Sequence, residues 1–66
     1  MEDLKQYIGK KFKDKDGSIL IVTNIQNGIV HTALMDGKYI HTEISFNMTL
    51  QVFLTDIVQR DRLLPR

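Results

Sequence analysis

The stretch Ser18-Ile19-Leu20-Ile21-Val22-Thr23-Asn24-Ile25-Gln26-Asn27-Gly28-Ile29-Val30-His31-Thr32-Ala33-Leu34 decides the fold. It holds two runs dense in β-branched residues, separated only by Asn27-Gly28. Both central residues of a type I′ turn need positive φ, and Asn-Gly adopts it with little strain, so the stretch reads as a β-hairpin. Asp16-Gly17 and Asp36-Gly37 flank it at a spacing of about ten residues, the rhythm of a compact antiparallel meander. Lys10 to Asp14 reads as a short charged first strand around Phe12, and Lys38 to Phe46 as the last. The meander is therefore expected over residues 10–46.

Outside the meander the period changes. Leu50, Phe53, Leu54, Ile57 and Val58 fall at i, i+3, i+4, i+7 and i+8, which predicts a C-terminal helix over residues 49–62. Asn47 or Thr49 can cap its start, Arg60 and Arg62 suit the dipole at its end, and Pro65 marks a stop. Residues 2–8 read as a helical turn, with Asp3 as cap, Leu4, Tyr7 and Ile8 on one face and Gly9 ending it. The expected architecture is one domain over residues 1–66, mainly β with a C-terminal helix, an α+β arrangement around a small, strongly bent antiparallel sheet.

A chain of 66 residues buries only roughly 60% of its unfolded surface, so it needs a well-packed core or a second copy. There is no cysteine, which excludes disulfides and thiolate metal sites. A net charge of +1 gives no strong field toward nucleic acid or membrane. Ile19 to Val22 is the longest apolar run and is too short to span a bilayer. Met1-Glu2-Asp3-Leu4 has no apolar signal core, so a cytoplasmic location is expected.

Register then sorts the side chains. A two-residue turn at 27–28 sets Ile25 opposite Val30, Thr23 opposite Thr32 and Ile21 opposite Leu34. The core face is then Ile19, Ile21, Thr23, Ile25, Val30, Thr32 and Leu34. A three-residue loop, Met35-Asp36-Gly37, extends that face to Ile40, Thr42 and Ile44. It pairs Leu34 with Lys38, Thr32 with Ile40 and Val30 with Thr42. The opposite face carries Leu20, Val22, Asn24, Ile29, His31, Ala33, Tyr39, His41 and Glu43, with His31 directly across from His41. One helix covers only one side of a sheet. Leu20, Val22 and Ile29 are therefore expected at an oligomer interface, and an uncovered apolar patch marks an interaction site.

The chemistry-bearing residues are few. His31, Tyr39, His41 and Glu43 are the expected ligand or partner contacts. The two histidines and Glu43 have no close-spaced ligand motif, so no metal is expected. No nucleophile–base spacing and no glycine-rich phosphate loop occurs, so no enzyme activity and no cofactor is expected. Lys10, Lys11, Lys13 and Lys15 form the one basic cluster. With Tyr7 and Phe12 stacking on bases it would track a phosphate backbone. The preferred reading is an edge strand guarded by lysines, since Asp14 and Asp16 dilute the charge and a nucleic-acid domain is more basic.

The run Ile8-Gly9-Lys10-Lys11-Phe12, then Asp16-Gly17, Ile19 to Val22, Asn27-Gly28 and Val30, resembles the opening of small SH3-like β-barrels over residues 8 to 46. It is similar in style to very small phage and prophage proteins that end in a short helix. The clustered aromatics of peptide-binding SH3 domains and the Tudor-type cage are missing. The resemblance implies an SH3-like barrel used as a binding scaffold. The expected protein is a non-enzymatic, self-associating binder, a dimer by preference, acting stoichiometrically. It would sequester a small nucleotide-like ligand or block a host protein surface, as a phage-type inhibitor or a nucleotide-signal sponge does. The alternative is a nucleic-acid-binding accessory protein using Lys10 to Lys15.

Overall fold

A computed structural model of the chain describes residues 4–64. The expected cap at Asp3 and the stop at Pro65 lie outside those residues. The chain opens with a 3₁₀ turn, Leu4–Tyr7, and Gly9 leaves it at φ 88°. Four strands follow: β1 (Lys11–Lys13), β2 (Ile19–Gln26), β3 (Ile29–Asp36) and β4 (Tyr39–Thr49). They form one antiparallel sheet in the order β1-β2-β3-β4. The meander is as expected. The sheet does not close, because β1 and β4 remain its two edges.

The Asn27-Gly28 turn has φ of 54° and 75°, as a type I′ turn requires, and Ile25 does face Val30. Beyond that point the expected register fails. Val22 pairs Thr32 and Asn24 pairs His31, so Thr23 is an extra residue in a β-bulge. A one-residue slip turns every later side chain to the other side of the sheet. Leu20 now pairs Leu34, and Ile21 pairs Ala33. Leu20 and Val22 are therefore core, at 2% and 1% exposure, and not interface residues. Ile19 and Ile21 point the other way.

The next turn also differs. Asp36 pairs Tyr39 across a two-residue turn, Gly37-Lys38, with the glycine at φ 60°. Glycine at the first central position is what a type II′ turn takes. Met35 pairs Ile40 and Leu34 pairs His41, but Ala33 pairs Ser45. Thr42, Glu43 and Ile44 thus have no partner on β3 and form a wide bulge. Past it, Thr32 faces Phe46 and Val30 faces Met48.

The helical stripe packs as expected. Thr49 caps it, its hydroxyl accepting from the Val52 N–H at 3.2 Å. One α-helical turn, α1 (Leu50–Val52), runs into a π-helical segment, Phe53–Val58. There the Thr55 hydroxyl donates to the Gln51 carbonyl at 2.7 Å, and the Gln59 N–H reaches back five residues to Leu54. The helix ends before the expected residue 62. Asp61 takes φ 57°, which turns the chain so that residues 62–64 run beside β1.

Phe53 anchors the core. Its ring meets Phe12 and Tyr7 edge-on, at centroid distances of 5.8 and 5.5 Å. Leu20, Val22, Val30 and Ile57 complete the buried cluster. Thr32 is fully buried, and its hydroxyl donates to the Phe46 carbonyl at 2.7 Å, so this buried polar side chain is satisfied. At roughly 0.05–0.15 kcal/mol per residue a chain of this size holds only about 3–10 kcal/mol. Truncating one buried phenylalanine costs about 3–5 kcal/mol, a large share of that total.

The bulge at Thr23 can be tested by urea unfolding. Leu20→Ala is expected to cost about 2–5 kcal/mol. Ile21→Thr, on the other side, should change stability by less than about 1 kcal/mol. The reverse ranking would restore the register without a bulge.

Candidate functional site

The helix covers one side of the sheet, the side of Phe12, Leu20, Val22 and Val30. The second side is set by the pairings of β1. Phe12 is buried against Leu20, so its neighbours Lys11 and Lys13 face away, opposite Ile21 and Ile19. On β3 the alternation puts Ile29, His31, Ala33 and Met35 on that same side. Ile40 joins them from β4, opposite Met35. Ile19, Ile21, Ile29 and Met35 are half-buried, and Ile40 is exposed. The result is an apolar strip across three strands with two ammonium groups on its β1 border. A shallow depression of about 200 Å³ lies at one end, between Lys11, Ile19, Met35 and Leu64.

The expected contact residues divide between the two sides. His31 is half-buried on the second side, between Asn24 and Asn47. His41 faces Leu34, three positions further along β3 or about 10 Å at strand spacing. Leu34 shares the side of Thr32 and Val30, so the two imidazoles lie on opposite sides of the sheet. The cross-strand histidine pair is therefore not formed. The cause is the bulge at 42–44 together with the two-residue turn, which shift β4 relative to the expected alignment.

Tyr39, His41 and Glu43 do come together. The Tyr39 and His41 rings meet edge-on at 4.6 Å. The Nδ1 of His41 lies 3.1 Å from Oε1 of Glu43. An ionised carboxylate only accepts, so Nδ1 carries the proton in this contact. The Glu43 carboxyl is held below its ordinary pKa, first by the N–H of its own backbone and then by His41. The trio is open to solvent on the β4 edge. Among the described residues no group of His, Cys, Asp or Glu is placed to hold a metal ion.

The four lysines do not form one stripe. Lys11 and Lys13 share the second side, while Lys15 stands on the β1–β2 turn. Lys10 is half-buried, with its backbone tied to Tyr7 and Val22. Phe12 at 0% and Tyr7 at 8% exposure are core, so neither can stack on a base as the alternative nucleic-acid reading required. An open groove of about 680 Å³ runs between that turn and residues 61–64. Its lining carries Lys13, Lys15 and Arg62 against Asp14, Asp16 and Asp61, which balance. Asp16 is held below its ordinary pKa, chiefly by the Ser18 backbone N–H it accepts from at 3.0 Å. Its carboxylate thus serves the turn.

The residues missed by sequence reasoning are Ile19, Ile21, Met35 and Ile40. The signal for the first two was Lys11-Phe12-Lys13: a buried Phe12 forces its lysine neighbours, and whatever pairs with them, to the far side. No family model, no curated protein and no solved structure matches the chain. No helix among the described residues is long and apolar enough to cross a membrane.

The Glu43 contact has a direct test. In His41→Ala the Glu43 pKa, followed by carboxyl NMR, should rise only part of the way to its ordinary value, because the backbone N–H remains. A depressed carboxylate adds stability above its unfolded pKa. That contribution is lost as pH falls through the lowered folded value, so His41→Ala should narrow the acid-side loss. A Glu43 pKa unmoved by the substitution would show that the ring contact does not exist in solution.

Proposed function

We propose that this chain is a non-enzymatic binding protein that works by stoichiometric occupancy, covering a surface on a partner protein as a small phage-type inhibitor does. One observation carries the reading: the helix covers one side of the sheet and leaves on the other a strip of half-buried Ile19, Ile21, Ile29 and Met35 with exposed Ile40, beside Lys11 and Lys13. Uncovered apolar surface with a polar border is the form of a protein-binding patch. The two lysines favour a partner whose apolar patch is fringed by carboxylates. The resemblance to SH3-like scaffolds supports the same class.

Volume and charge weigh against the sponge for a small nucleotide. Ligand pockets run from about 300 to 1,000 Å³, and the depression on the second side is about 200 Å³. The groove at the β1–β2 turn is large enough, but its three acidic and three basic residues give no net attraction for phosphate. The nucleic-acid reading loses its stacking aromatics to the core.

The test is native mass spectrometry of the protein drawn from its own cells. A retained polypeptide at a fixed ratio is expected, and it should be lost in Ile21→Asp. Lys11→Glu with Lys13→Glu should slow association and weaken the complex by roughly tenfold, most visibly at low salt. A retained species that is nucleic acid, or a complex indifferent to Ile21→Asp, would replace this reading.

A further inference from the structure

We infer that β4 pairs with β4 of a second copy of this chain, edge to edge and antiparallel, joining two four-stranded sheets into one. The site is the open edge of the sheet and stands apart from the second side discussed above.

The two edges are built differently. The outer edge of β1 is sealed by the chain itself. Leu64 donates its N–H to the Lys11 carbonyl at 2.8 Å, Lys13 reaches the Arg62 carbonyl at 3.5 Å, and Leu63 bridges to Phe12. That edge also carries lysines, which oppose strand addition. Among the described residues the outer edge of β4 has no strand beside it. Residues 39–49 contain no lysine, arginine or proline, and their one acid, Glu43, is engaged by His41. Six large hydrophobic residues are exposed among those described, and Tyr39, Ile40, Ile44 and Phe46, four of the six, lie on this strand. An unguarded, apolar edge is a template for another strand.

The backbone phase identifies the groups on offer. The Leu50 N–H donates to the Gly28 carbonyl at 2.8 Å, inward across the hairpin. Antiparallel alternation then turns Met48 and Phe46 inward, toward Val30 and Thr32, and leaves the N–H and C=O groups of Ser45 and Asn47 and the N–H of Thr49 pointing out, the Thr49 carbonyl being turned to the helix it caps.

A second copy fits this edge by symmetry. With a two-fold axis at Asn47, the outward carbonyl of Ser45 meets the Thr49 N–H, and Asn47 meets Asn47 through both its N–H and its C=O. Phe46 then lies opposite Met48 at a non-hydrogen-bonded position, where side chains are closest. A thioether against an aromatic ring is a favourable contact. Residues 45–49 carry no charge, so the two-fold brings no like charges together. A contact between identical patches is isologous and closes at two copies.

Asn47→Pro removes one outward donor and no bond to β3. By light scattering, the wild-type chain is expected at about twice 7.7 kDa and the Asn47→Pro chain at 7.7 kDa with an unchanged far-ultraviolet spectrum. Ile21→Asp, on the second side, should leave the dimer intact. If Asn47→Pro fails to fold, amide exchange on the wild-type chain decides. The Asn47 and Thr49 amides should be protected at high concentration and lose that protection on dilution. A monomer at millimolar concentration, a dimer that survives in folded Asn47→Pro, or exchange at those amides indifferent to concentration would overturn the proposal.

Discussion

The extra residue at Thr23 is the constraint from which the rest follows. It reverses the phase of β2 between Asn24 and Val22, and that phase passes to β1 through the pairing of Phe12 with Leu20. Phe12 therefore points to the helix, where Phe53 meets it, and Lys11 and Lys13 point away. The bulge is supported by its own side chains. The Thr23 hydroxyl donates to the His31 carbonyl at 3.1 Å, and the Asn24 side chain accepts the Ile25 N–H at 2.9 Å. Polar groups that a regular ladder would have paired are satisfied locally, which is why a threonine and an asparagine can sit in the middle of an apolar run.

Local signals were legible and phase was not. The type I′ turn at Asn27-Gly28, the Thr49 cap and the stripe from Leu50 to Val58 each depend on residues close in sequence, and each is found where the residues point. Side-chain sorting in the sheet depends on counting by twos over a long run. Ile19-Leu20-Ile21-Val22 offers two large apolar residues to either side, so composition cannot choose between the phases. The choice is made by Phe12, whose lysine neighbours cannot be buried, but the Asp14–Ser18 turn between β1 and β2 has no fixed length that would carry this phase forward. β4 adds the same difficulty at its three-residue bulge. Hence Tyr39, His41 and Glu43 were found together while His31 was wrongly joined to them, and Leu20 and Val22 were exchanged with Ile19 and Ile21.

The exposed surfaces follow from how little chain lies outside the sheet. Residues 4–10 and 50–64 are all that the described chain has beyond its strands and turns. The opening 3₁₀ turn and the helix go to one side of the sheet, and residues 62–64 go to the β1 edge. Among the described residues outside the sheet, Leu64 reaches one end of the second side and none forms a strand beside β4. The described chain leaves a side and an edge at right angles to each other, and a contact at either leaves the other free.

Small size also ties occupancy to folding. Burying apolar surface on the second side adds roughly 25 cal/mol per Å², and a partner that binds only the folded chain at one hundred times its dissociation constant adds about 2.7 kcal/mol. Against a total of about 3–10 kcal/mol that is a substantial fraction. In a large domain the same contact would be a minor correction. Here the second-side isoleucines, half-buried in the isolated chain, add more to the occupied one, because the apolar area they still expose is the area that a contact then buries.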